Sequence, residues 1–97
     1  MRFKDKIVLI TGSAGGIGFK TALDFGNEGA IVAVTDIDFE MAKKLSNQII
    51  SNGGIAEPLQ LDVTNLEQTK NVFEVLNQKY GVCDIVFCNA GIREITP

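Results

Sequence analysis

The sequence predicts an α/β fold: a doubly wound parallel sheet with helices on both faces, in three αβα layers. Two observations carry the prediction. Strand-like runs at 7–11, 31–35, 56–61 and 84–88 are separated by segments with helical periodicity, each long enough for a crossover between parallel neighbours. The first run also breaks into a turn with glycines at 12, 16 and 18 before an amphipathic segment begins. A strand that ends in glycines and restarts as a helix is the opening corner of a βαβ unit.

Each element follows from its residues. Ile7 to Thr11 is a continuous apolar run, as a strand buried on both faces requires. Gly16 to about Glu28 is a predicted helix with Ile17, Thr21, Ala22 and Phe25 on one side, and Gly26 and Gly29 flank its end. Ile31 to Thr35 is a second apolar strand, stopping at Asp36. Asp38 is placed to cap a second helix whose stripe is Ala42, Leu45, Ile49 and Ile50, and Asn52-Gly53-Gly54 ends it. Ala56 to Leu61 is a weaker third strand. Glu57 and Pro58 within it and its polar–apolar alternation suit a sheet edge. Thr64-Asn65-Leu66-Glu67 reads as a capping box opening a third helix, with Leu66, Thr69, Val72, Phe73, Leu76 and Tyr80 along one side and Gly81 as its stop. Asp84 to Cys88 is the fourth strand. Asn89-Ala90-Gly91 turns out of it.

The totals bound the function. The 97 residues make a single domain at most, with enough chain to bury about two-thirds of the unfolded surface. A net charge of −3 with acids and bases interspersed argues against nucleic acid and anionic membranes as partners. No apolar run approaches a membrane span, and Met1-Arg2-Phe3-Lys4-Asp5-Lys6 lacks the apolar region of a signal peptide, so a cytoplasmic location is expected. The chain contains no histidine, which excludes imidazole chemistry within these residues. Cys83 and Cys88, five apart on one strand, are expected to face opposite sides of the sheet as small buried hydrophobes, with no disulfide or metal between them.

The dinucleotide-binding, Rossmann-type version of this element string lays its strands in the order 3-2-1-4. The chain then reverses direction across the sheet between the first and fourth strands, and a crevice opens at their carboxyl ends. Gly12 makes the tight turn out of the strand, Gly16 leaves room for a pyrophosphate, and Gly18 lets the helix pack closely. Main-chain N–H groups at the helix start favour an anion. Asp36, eighteen residues past Gly18, is placed to accept hydrogen bonds from ribose hydroxyls, and Asp62 and Val63 are placed to hold an adenine. Two rival folds match these residues less well. A P-loop would need glycine and lysine where Ile17 and Gly18 stand. A methyltransferase-like site for S-adenosylmethionine usually carries an acid just before its glycines, where this chain has Thr11, and it is a distant alternative.

With Thr11-Gly12-x-x-x-Gly16-x-Gly18, Asp62-Val63 and Asn89-Ala90-Gly91 assembled, the chain resembles the amino-terminal part of the short-chain dehydrogenase/reductase family over nearly its whole length. One departure is Cys88, where the family's Asn-Asn-Ala-Gly begins with asparagine. The resemblance implies an oxidoreductase that transfers a hydride between a nicotinamide and an alcohol/carbonyl substrate. It implies cofactor contacts at Gly12, Ser13, Gly16, Ile17, Gly18, Asp36, Ile37, Asp62, Val63, Asn89, Ala90 and Gly91, and commonly a dimer or tetramer. It places no catalytic residue here. Tyr80 is the only tyrosine, and Asp84 rather than lysine stands four residues on, so the family's Tyr-x-x-x-Lys is expected after Pro97. A non-catalytic dinucleotide-binding fragment is the alternative.

Asp36 points to NAD(H) over NADP(H). Two unit charges at about 4 Å in an effective dielectric of about 20 repel by about 4 kcal/mol, reduced by water. A carboxylate at that strand tip therefore disfavours a 2′-phosphate, and Ser13, Ala14 and Ile37 supply no compensating base. The fourth strand is apolar on both faces with no fifth strand following it, an interior-type strand at a sheet edge. The sheet is therefore read as cut short, with these residues the cofactor half of a longer enzyme.

Overall fold

Seven elements alternate along the chain: β1 (Ile7–Thr11), α1 (Gly16–Asn27), β2 (Ile31–Asp36), α2 (Phe39–Ser51), β3 (Ile55–Gln60), α3 (Leu66–Lys79) and β4 (Ile85–Cys88). The computed structural model describes residues 2–12 and 16–88. The strands form one parallel sheet in the order β3-β2-β1-β4. This is the doubly wound order that the sequence predicts.

Alternate residues of the central strands feed two separate cores. Val8, Ile10, Val32 and Val34 pack with Ala22 of α1 and with Ala42, Leu45 and Ile49 of α2. The intervening Leu9 and Ala33, with Leu61, pack with Val72 and Leu76 of α3. The period-2 alternation of a strand thus divides one apolar run between two helical layers. Buried on both faces, β1 and β2 are apolar up to their polar carboxyl-end residues, Thr11 in β1 and Thr35 and Asp36 in β2, which is why they read as apolar runs in the sequence.

Three predicted helix faces are rotated from the observed ones. On α1, Ile17 is 70% exposed, and the buried line is Gly18, Ala22 and Gly26. The helix lies so close to its neighbours that only small residues fit beneath it, so its larger residues sit to the sides. On α2, Ile50 is exposed and Ser46 takes its place inside. On α3, Leu66 is 77% exposed, because the inward face begins later, at Val72 and Leu76.

The cap of α3 is displaced by one residue. Asn65, not Thr64, is the N-cap, accepting from the Gln68 N–H at 3.0 Å. The Gln68 side chain reaches back to the Asp62 N–H at 2.5 Å rather than to the cap itself. The predicted Asp38 cap of α2 is present, accepting from the Met41 N–H at 3.3 Å.

The cysteines depart from expectation. Cys83 precedes β4, where its thiol donates to the Ile85 carbonyl at 3.2 Å, and burial pushes its pKa up. Cys88 ends β4 and is exposed, so it is not a buried hydrophobe. Both thiols are free. Among the described residues β4 pairs with β1 alone. Ile85 and Phe87 pack toward the α1 side while Val86 remains 48% exposed.

Packing is close where α1 meets the end of α2. A Cβ at Gly26 would stand 2.8 Å from Ile49 Cγ2, and a Cβ at Gly54 would meet the same methyl at 2.8 Å. Ile49 Cγ2 therefore lodges between two glycines. Gly26→Ala should gain about 1 kcal/mol in helix propensity and lose about 1–3 kcal/mol to overpacking. We expect a net fall in Tm, partly recovered in Gly26→Ala/Ile49→Leu, which removes the β-methyl. Equal or higher Tm for the single variant would contradict this packing.

Candidate functional site

Because all four strands run in parallel, their carboxyl ends share one edge of the sheet. The register sets Thr11 level with Cys88 and Asp36 level with Gln60. The β1 and β2 tips are also tied together, since the buried Thr35 hydroxyl donates to the Ile10 carbonyl at 2.6 Å.

At the first corner Gly12 has φ 60° and Gly16 has φ 42°, both in the left-handed region that side chains resist. A Cβ at Gly16 would meet no atom within 4 Å, so open space lies beside the start of α1. Gly18 is buried beneath the helix, consistent with close packing. The first turn of α1 carries no acid, whereas Glu40 and Glu67 stand in the first turns of α2 and α3. The first turn itself thus places no acid at the positive end of the α1 dipole. Ser13, Asn89, Ala90 and Gly91 lie outside the described residues.

At the second corner Asp36 is only 8% exposed, and its Oδ1 accepts from the Asp38 N–H at 3.0 Å. The Leu61 N–H donates to the Asp36 carbonyl at 3.0 Å, carrying the sheet's pairing one step beyond β3. Gln60 Nε2 donates to the Ile37 carbonyl at 3.1 Å. At the third corner Asp62 Oδ1 accepts from both the Thr64 N–H at 3.0 Å and its hydroxyl at 2.7 Å. These bonds hold the Asp62 carboxyl below its ordinary pKa, with the hydroxyl contributing most. Asp62 thus shapes the loop before α3 and leaves the capping to Asn65.

Ile17, Ile37 and Val63 are large, apolar and exposed, one at each of the three corners. The glycine turn, the acid at the β2 tip and the Asp62-Val63 pair are therefore brought to one edge, as their positions in the sequence imply. Thr35, Gln60 and Thr64 are functional candidates that sequence reading passed over. Thr35 and Thr64 are polar residues at or just after a strand end; Thr35 reaches a carbonyl within β1, Thr64 the Asp62 carboxylate of its own loop, and Gln60 the Ile37 carbonyl after β2.

A cleft of about 600 Å³ lies elsewhere, lined along α1 by Thr21, Asp24, Phe25 and Asn27, and by Glu28, Arg2, Phe3 and Phe87. It has neither a glycine turn nor a helix start. Its Glu28 already accepts from the Arg2 N–H at 3.1 Å, and its Asp24 pairs with Lys20 at 3.4 Å. Among the described residues no cluster of His, Cys, Asp or Glu could hold a metal ion, and no helix is long and apolar enough to cross a membrane.

The family described as short chain dehydrogenase matches residues 6–97. Among curated proteins, the chain is 43% identical over 92 residues to the probable oxidoreductase EphD of Mycobacterium tuberculosis, covering 95% of this chain and 16% of that protein. Among solved structures it is similar to a hydroxysteroid dehydrogenase from Escherichia coli, with a TM-score of 0.88 and 32% identity over 91% of this chain and 37% of the other. It is also similar to a putative D-mannonate oxidoreductase from Haemophilus influenza with bound NAD, with a TM-score of 0.84 and 30% identity over 88% and 30% of the two chains. A metagenomic short-chain oxidoreductase in complex with NADP gives a TM-score of 0.84 and 26% identity over 89% and 39%. The chain thus spans between 16% and 39% of the length of these relatives.

The Asp62–Thr64 turn generates a titration test. A carboxyl whose folded pKa is depressed contributes stability above its unfolded pKa, about 3.9, and loses it as pH falls from there through the folded value. Thr64→Ala removes the hydroxyl donor and should raise the Asp62 pKa in an NMR titration, weakening the acid-side fall in stability over that window. An unchanged Asp62 pKa would contradict the assignment of the hydroxyl as the main cause.

Proposed function

We propose, for a chain that belongs to the short-chain dehydrogenase family, that residues 1–97 form the cofactor-binding part of an NAD-dependent oxidoreductase. The observation that carries the reading is the glycine corner aligned with a buried, oriented acid at the adjacent strand tip. The N–H groups at the start of α1 would hold the diphosphate, with Gly12, Ser13, Gly16 and Ile17 around it and Gly18 beneath the helix. Asp36 would accept the adenosine ribose hydroxyls. Ile37 and Val63 would flank the adenine, and Asp62 would meet its edge. Asn89, Ala90 and Gly91 would lie along the nicotinamide side of the crevice.

The nicotinamide, when bound, supplies the hydride acceptor or donor for an alcohol/carbonyl pair. This chain's residues bind and orient it. The proton chemistry would come from a Tyr-x-x-x-Lys pair beyond Pro97, in a cytoplasmic enzyme that assembles as a dimer or tetramer. Structural neighbours carry NAD in one case and NADP in another, so the preference for NAD(H) rests on this chain's own Asp36. Its carboxylate repels a 2′-phosphate and accepts two hydroxyls.

Two measurements test the reading. Titration calorimetry should give at least tenfold tighter binding of NAD than of NADP; equal or tighter NADP binding would refute the preference. Gly16→Val should abolish NAD binding while the fold persists. Because φ 42° strains any side chain, Gly53→Val serves as control: Gly53 has φ 92° and open space, but lies after α2. Retained affinity in Gly16→Val, or equal loss in both variants, would remove the diphosphate cradle.

A further inference from the structure

One peptide group links the edge strand to the acid. The Ile37 carbonyl accepts from Gln60 Nε2 at 3.1 Å, and the Asp38 N–H of the same peptide donates to Asp36 Oδ1 at 3.0 Å. The chain has no cis peptide bond among the described residues, so this carbonyl and N–H point in opposite directions. The two hydrogen bonds therefore run in series, from Gln60 through the 37–38 peptide to the carboxylate. A donor on the carbonyl polarises the N–H and strengthens its bond to the acid. Gln60 sits at the end of β3, directly opposite Asp36 in the register, and is exposed outside both cores.

We infer that Gln60 is a positioning residue for cofactor selectivity: it fixes the orientation of the Asp36 carboxylate through the 37–38 peptide. The inference rests on the reading of Asp36 as the ribose acceptor. Two vicinal hydroxyls need a carboxylate held in one orientation, so a peptide free to tilt adds an ordering cost to NAD(H) binding. A 2′-phosphate makes no use of that orientation, so NADP(H) gains nothing from Gln60. The side chain therefore contributes to discrimination without touching the cofactor.

The test uses Gln60→Met in the intact protein, a side chain of similar length with no donor. NADH binding should weaken about threefold to tenfold, the range of one hydrogen bond, while NADPH binding is unchanged or tighter. In the cofactor-free protein, exchange of the Asp38 amide should quicken by several-fold while the Ile49 amide in α2 stays as before. Equal weakening toward both cofactors, or an unchanged ratio, would overturn the inference. So would unchanged Asp38 exchange, whichever cofactor is preferred. Failure of the Asp36 reading shows separately, as an absence of NAD(H) preference in the unsubstituted protein.

Discussion

A sheet with no antiparallel pair sends every loop that leaves a carboxyl end to the same edge. In this chain that constraint places the glycine turn after β1, the acid at the tip of β2 and the Asp62 loop after β3 side by side. No long-range side-chain network is needed to assemble them. Hydrophobic burial on both faces of β1 and β2 fixes the strands, and the parallel register carries the loops with them. The Thr35 hydroxyl and the Leu61 N–H then lock the tips together.

Close approach is the second requirement, and small residues meet it. Gly18, Ala22 and Gly26 bring α1 down onto its neighbours, and Gly26 and Gly54 admit one methyl of Ile49. The same closeness sets the helix start beside the β1 tip, where an anion would meet main-chain N–H groups. Charge is distributed accordingly: the first turns of α2 and α3 hold an acid and that of α1 does not. Away from this edge, Glu57 ties β3 to the end of α3, accepting from Lys79 Nζ at 3.1 Å and the Tyr80 hydroxyl at 3.1 Å. Burial, with the Glu57 carboxylate adding to it, pushes the Tyr80 pKa up. Tyr80 is thereby a structural residue at the helix end, as its place in the apolar stripe suggests.

The element string and strand order were legible because two-face burial leaves apolar runs and glycines mark the turns. What was not legible was the rotation of each helix. Periodicity defines a stripe but not its edge. Ile17, Ile50 and Leu66 border the apolar stripes in the sequence, yet they point outward once glycine, serine and valine take the contact. The capping box slipped by one residue because Thr64 and Asn65 are both competent caps. Only the turn around Asp62 shows that Thr64 is already engaged. At the candidate site the glycines and acids carried clear signals, since left-handed turns and strand-tip carboxylates are rare without cause. Gln60 carried none, because its role depends on a register between strands that a single sequence does not display.

The central claim is that main-chain N–H groups at the β1–α1 corner hold a diphosphate while the β2-tip acid grips the adjoining ribose. A crystal structure of the intact protein grown with NAD tests it most directly. The account predicts diphosphate oxygens on the N–H groups at the start of α1 and both ribose hydroxyls on the Asp36 carboxylate. A nucleotide bound elsewhere with that corner vacant, or a ribose turned away from Asp36, would contradict it.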